Sequence, residues 1–287
     1  MPSTSTQRHV LCVTPSGLHR LGYLEWGDPA NPKVVVCVHG LTRCARDFDA
    51  LARALADHYR VICPDMPGRG ASDWLKNPAE YEIPTYVADC VTLIARLGVE
   101  EVDWVGTSMG GLIGMALACM QDAPIRRLVL NDAGPVVTAV SLARIAQYVG
   151  HTPCFPDFNA AVHFIRSVAA PFGPHTDEEW RFLTEVVMRK QPDGTLIAHY
   201  DPAIRVPFLK MVANRDVELW HLYDAVRAKT LLLRGAQSDL LTRATAGQMQ
   251  HRGPRAEVVE FAGVGHAPTL MHDDQIAAVK EFLLRAS

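Results

Sequence analysis

The chain has 287 residues, 48% of them hydrophobic, and a formal net charge of −3. That is enough apolar material for a substantial single core. The mildly acidic balance and scattered basic residues give no footprint for nucleic acid or an anionic membrane surface.

The first ten residues, MPSTSTQRHV, lack the apolar core of a secretory leader. No apolar run approaches ~18 residues, so no membrane span is expected. The seven cysteines (12, 37, 44, 63, 90, 119 and 154) are odd in number and unpaired in spacing. Reduced core thiols in a cytoplasmic protein fit that usage better than a disulfide framework. There is no CxxC or HExxH, and neither a metal nor an organic cofactor is expected.

Residues 19–26 and 34–38 read as strands, and Val34-Val35-Val36-Cys37-Val38 is apolar on both faces, as a central parallel strand must be. His39-Gly40 punctuates it, and residues 44–57 carry a helical period through Phe48, Leu51 and Leu55. Residues 59–63 give a further strand, followed by the turn-rich Asp65-Met66-Pro67-Gly68-Arg69-Gly70. A helix over about 84–97 leads into the strand 102–106, then a small-residue helix beyond Ser108. Strands at 125–130, 230–234 and 257–261 and a helix near 273–285 complete the pattern.

Strands alternating with helices predict a mostly parallel, helix-flanked α/β sheet. Residues 135–228 break the rhythm with helical stretches and the aromatics Phe155, Phe158, Phe164, Phe172, Trp180 and Phe182. The expected organisation is a core of residues 1–134 and 229–287, with 135–228 inserted as a helical cap over the carboxyl edge of the sheet.

Gly106-Thr107-Ser108-Met109-Gly110 places a serine where an apolar strand turns sharply into a helix. Such a turn needs neighbours without bulk, and it lifts the hydroxyl above the sheet edge at a helix N-terminus. A dinucleotide fingerprint fits poorly: the third glycine of that pattern falls on Leu112. A serine needs a base to take its proton. Of 12 histidines, His266, in Gly263-Val264-Gly265-His266-Ala267-Pro268, follows the last strand at the edge where catalytic groups gather. His272 begins the next helix, and His39 suits a loop-shaping role. The orienting acid is expected at Asp239, after strand 230–234, because it precedes the histidine from another carboxyl-end loop. Asp132, after strand 125–130, competes with it.

Taken in order, His39-Gly40-Leu41, Asp65-Met-Pro-Gly68-Arg-Gly70-Ala-Ser72, Gly106-Thr-Ser108-Met-Gly110, Ser238-Asp239 and Gly265-His266 resemble the α/β-hydrolase superfamily over essentially the whole chain. The resemblance implies an oxyanion hole from the backbone N–H groups of Leu41 and Met109. It also implies attack by Ser108 on a carbonyl, proton transfer through His266, and hydrolysis of an acyl-enzyme. A serine at the elbow departs from the aspartate-nucleophile dehalogenases and epoxide hydrolases, and His39-Gly-Leu-Thr-Arg43 lacks the extra glycines of the HGGG esterases. The expected activity is hydrolysis of small to medium apolar carboxylic esters. Carbon–carbon-bond, lactone or thioester hydrolysis, or a non-catalytic small-ligand receptor, are the alternatives. Arg43, two residues past Leu41, is a candidate to receive a substrate carboxylate, against a structural ion pair with Asp47 or Asp49.

Overall fold

A computed structural model describes residues 4–212 and 215–285. Its centre is an eight-stranded sheet: β1 (Thr6–Thr14), β2 (Gly17–Trp26), β3 (Val34–Val38), β4 (Arg60–Pro64), β5 (Val102–Thr107), β6 (Ile125–Asn131), β7 (Lys229–Gly235) and β8 (Glu257–Phe261). Their spatial order is β1-β2-β4-β3-β5-β6-β7-β8. β2 runs antiparallel to both its neighbours, and every pairing from β4 through β8 is parallel.

The period-2 geometry of strands explains why β3 is apolar throughout. Val34, Val36 and Val38 face one core cluster with Trp104, Ile113 and Leu130. Val35 and Cys37 face the other, with Leu51, Val105, Leu233 and Phe282. The first layer holds α2 (Ile83–Leu97) and α3 (Met109–Ala118), and the second α1 (Asp49–Leu55) and α10 (Asp273–Leu284). β1 was not legible in the sequence. It is an edge strand whose first four residues are exposed, and only Val10, Cys12 and Thr14 turn inward.

Between the adjacent strands β6 and β7 lie α4 (Ala139–Ala146), α5 (Phe158–Val168), α6 (Asp177–Glu185), α7 (Arg205–Met211) and α8 (Trp220–Ala225). Their starts are written locally: Thr138 and Asp157 accept from the N–H groups of Ser141 and Ala160, and Thr176 with Glu179 forms a reciprocal capping box. The segment also contains a small antiparallel sheet of Cys154–Phe155, Leu196–Ala198 and Met188–Lys190. Val217–Glu218 pairs with Val136–Val137, closing the segment's two ends on each other. α9 (Arg243–Met249) follows β7.

All seven cysteines are free; five are buried, including Cys37 and Cys63 in the central strands. No helix among the described residues is long and apolar enough to cross a membrane.

Candidate active site

Ser108 sits between β5 and α3 at φ 52°, ψ −113°, a backbone region that L side chains rarely adopt. The two flanking glycines make the turn sterically feasible. A Cβ on Gly106 would stand 2.2 Å from the Gly110 carbonyl oxygen, and one on Gly110 would stand 2.0 Å from that of Val38. The Ser108 N–H donates to the Asn131 carbonyl at 2.9 Å, which fixes the turn against β6.

His266 Nε2 lies 2.9 Å from Ser108 Oγ, and His266 Nδ1 lies 2.6 Å from Asp132 Oδ2. Asp132 is fully buried. Its Oδ1 accepts from the Gly235 N–H at 3.1 Å, and its Oδ2 also accepts from Ser238 Oγ at 2.5 Å. These donors fix the carboxylate's orientation towards His266. A base within hydrogen-bond reach of a hydroxyl, and itself oriented by a buried carboxylate, can activate that hydroxyl as a nucleophile.

The expected pairing of His266 with Asp239 is therefore corrected. Asp239 lies on the surface, and both its oxygens are held by Arg144, at 2.6 Å from Nε and 2.9 Å from Nη2. The two acids end up apart because Asp132 directly follows β6. Its N–H donates to the Leu233 carbonyl of β7, and at φ 51° it turns towards the histidine loop. Asp239 lies four positions beyond the end of β7 and reaches outward to α4 instead.

The loop after β3 faces the nucleophile: a Cβ on Gly40 would lie 3.7 Å from Ser108 Cβ. The backbone N–H groups of Leu41 and Met109 bond to no other described residue. His39 shapes this loop, with Nδ1 2.7 Å from the Gly40 carbonyl and Nε2 2.9 Å from the Met66 N–H. Burial, then the Arg69 charge, lowers its pKa to about 3, so the ring is neutral, donating from Nδ1 and accepting at Nε2. Asp65 accepts from the N–H groups of Ala45 and Ala71, and burial raises its pKa to about 6.

Arg69, which in the sequence stands out only as part of a turn-rich loop, is buried beside the site. It is 1% exposed. Its Nε donates to the Leu41 carbonyl at 2.8 Å, its Nη1 to Pro67 O and Tyr86 Oη, and its Nη2 lies 3.7 Å from Met109 Sδ. One buried guanidinium thus touches both Leu41 and Met109.

Arg43 is not free to receive a ligand. Its Nε and Nη2 bind Asp47 at 2.8 and 2.6 Å, and its Nη1 donates to the Leu183 carbonyl at 3.0 Å. It fastens the inserted segment to the loop after β3. His272 pairs with Glu179 rather than approaching Ser108.

Two chambers meet at Ser108. One is walled by His266, Thr269, Arg144, Tyr148, His151 and Phe164, among others. The other is lined by Met109, Leu112, Val137, Leu142, Phe208 and further apolar groups, with the exposed Glu82 and Lys210 also bordering it. Leu41, Ser108 and Ile145 border both. Most of these walls come from the inserted segment, where no motif marks them in the sequence.

Away from both chambers, Cys12, His19 and Asp89 bring ligand-type atoms within 4.8 Å of one another. The three come from β1, β2 and α2, so no local motif announces them. His19 Nε2 lies 2.9 Å from Asp89 Oδ2, and burial pushes the Cys12 thiol up to about 12. The Cys12 thiol and His19 Nε2 both bond to Asp89, packing the three side chains beneath the β1–β2 hairpin, while buried His19 Nδ1 has no hydrogen-bond partner among the described residues.

A family model for the α/β hydrolase fold matches residues 33–273. The chain belongs to this family. It is 48% identical over 284 residues to the 3-hydroxybutyrate-oligomer hydrolase of Cupriavidus necator, an alignment covering 96% of this chain and 97% of that one. Among solved structures, an α/β hydrolase from Novosphingobium aromaticivorans is 37% identical, covering 98% and 99% of the two chains, with a TM-score of 0.88. A putative hydrolase from Rickettsia typhi is 33% identical over the full length of both, with a TM-score of 0.89.

Proposed function

We propose that this hydrolase is a serine esterase acting on short aliphatic oligoesters of a hydroxy acid, with Ser108 as nucleophile, His266 as base and Asp132 as the orienting acid. The observation that carries this reading is the hydrogen-bonded chain from Ser108 Oγ through His266 to buried Asp132, placed where two chambers meet. Similarity over nearly full length to a 3-hydroxybutyrate-oligomer hydrolase supports the substrate class.

In this reading Ser108 Oγ attacks the ester carbonyl while His266 Nε2 takes its proton. Asp132 holds the imidazole in the tautomer that leaves Nε2 free to accept, and stabilises the imidazolium that forms. The N–H groups of Leu41 and Met109 receive the oxyanion, each donor contributing about 3 kcal/mol in the transition state. The imidazolium then protonates the departing alkoxide, and water activated by the same histidine hydrolyses the acyl-enzyme. Residues 135–228 act as a cap that supplies the chamber walls and excludes bulk water from the charged intermediate.

The test combines turnover of p-nitrophenyl butyrate and of a 3-hydroxybutyrate dimer with labelling by a fluorophosphonate. The expected result is hydrolysis of both esters and an adduct mapped to Ser108. A folded protein that binds these esters without hydrolysing them, and takes no label, would be a receptor instead.

A further inference from the structure

The two chambers differ in a way that assigns each half of the ester, given the esterase reading above. His266 borders the chamber that contains Arg144 and not the apolar one. Because His266 Nε2 must hand its proton to the leaving oxygen, the leaving alcohol occupies the Arg144 chamber. The acyl chain then lies in the apolar chamber beside Met109 and Leu112. In an oligoester of a hydroxy acid, the alcohol released from the last linkage is the terminal unit, which carries the free carboxylate.

Arg144 is built to meet that carboxylate. Asp239 grips its Nε and Nη2 and so fixes the plane of the guanidinium. Nη1 is not held by Asp239, and the Tyr148 side chain hydrogen-bonds to the guanidinium, so a ligand carboxylate would meet the arginine and the phenol side by side. Arg43, in the same chamber, has all three nitrogens committed. The planar fork of an arginine suits it to carboxylate recognition, and an arginine already held in place loses less rotamer freedom on binding.

We propose that Arg144, positioned by Asp239, anchors the terminal carboxylate of the leaving group, so that the enzyme shortens hydroxy-acid oligoesters one unit at a time from the carboxyl end. Each cycle balances simply. The acyl carbon forms a bond to Ser108 Oγ as its bond to the terminal unit's oxygen breaks, and that oxygen takes the serine proton through His266. Water then adds to the acyl-enzyme, giving an oligomer one unit shorter with a new free carboxylate and restoring the Ser108 hydroxyl.

The experiment compares a 3-hydroxybutyrate dimer carrying a free terminal acid with the same dimer as its terminal amide. Both are assayed on wild type, Arg144→Met and Arg144→Lys, with p-nitrophenyl butyrate alongside. Wild type should favour the acid in kcat/KM by about ten- to a hundredfold, the scale of one charge-assisted hydrogen-bond contact. Arg144→Met should bring that ratio close to one through KM, and Arg144→Lys should restore part of it. A trimer isotopically labelled in its carboxyl-terminal unit should release labelled monomer first from wild type, a result that does not depend on either variant folding. The anchor is overturned by equal wild-type rates on acid and amide, by equal losses on both in Arg144→Met, or by label first appearing in dimer. Any of these alongside turnover of p-nitrophenyl butyrate leaves the esterase reading standing. A wild-type protein that turns over no ester overturns both.

Discussion

His266 Nδ1 stands 2.6 Å from Asp132 Oδ2, while Asp239, four positions beyond the neighbouring strand, gives both of its oxygens to Arg144. The first expected outcome follows from this division. Asp132→Asn should cost about 10⁴ in kcat, because an amide at that position no longer selects the productive imidazole tautomer. Asp239→Asn should cost less than about tenfold on a neutral ester, since it removes a partner of Arg144 and leaves the histidine oriented. Steady-state kcat on p-nitrophenyl butyrate checks the ranking, and the reverse order would return the acid to Asp239.

Arg69 bonds the Leu41 carbonyl and contacts Met109 Sδ, and so positions the two candidate oxyanion donors without itself meeting substrate. Arg69→Met should lower kcat by about ten- to a hundredfold, part of what loss of a whole oxyanion donor costs. KM should change much less, and the rate of fluorophosphonate labelling should fall in parallel with kcat. A rise in KM at unchanged kcat would show that Arg69 shapes the substrate chamber instead.

Acid should destabilise the fold through His39. Its pKa is depressed from 6.5 to about 3, so below pH 6.5 the unfolded chain binds a proton that the folded ring refuses. The His39 contribution is complete above that pH and declines as the pH falls towards 3. Asp65 opposes it: raised from 3.8 to about 6, it contributes below 3.8 and loses that contribution as the pH rises through 6. The His39 displacement is the larger, and net stability should fall on acidification. Urea unfolding between pH 7 and pH 4 reads the slope, and His39→Gln should flatten it. An unchanged slope in that variant would assign the acid sensitivity elsewhere.

Much of this molecule was legible in its sequence, for reasons visible in particular elements. β3, β5 and β7 are buried on both faces, so each appears as an apolar run, and the Ser108 turn stands out because Gly106 and Gly110 sit where a Cβ would strike backbone. β1 escaped because its outward face carries Thr6, Gln7, Arg8 and His9, which read as a polar terminus. The aspartate that meets His266 is hard to pick from sequence because β6 and β7 are parallel neighbours, and each is followed by an aspartate at the same edge of the sheet. Chain order cannot separate them; the hydrogen bond from Asp132 N–H to the Leu233 carbonyl, and the turn it fixes, can. Arg69 and Arg144 carry no local signal because their contacts are with residues distant in the chain, Leu41 and Met109 for one and Asp239 for the other.

The kcat of Ser108→Ala on a 3-hydroxybutyrate dimer tests most directly whether Ser108 is the nucleophile. The hydroxyl makes its hydrogen bond to His266 from the surface of the turn, so alanine should leave the fold and its unfolding midpoint close to wild type. If Ser108 is the nucleophile, kcat should fall about 10⁴- to 10⁶-fold. A folded Ser108→Ala protein that keeps most of its activity would contradict it.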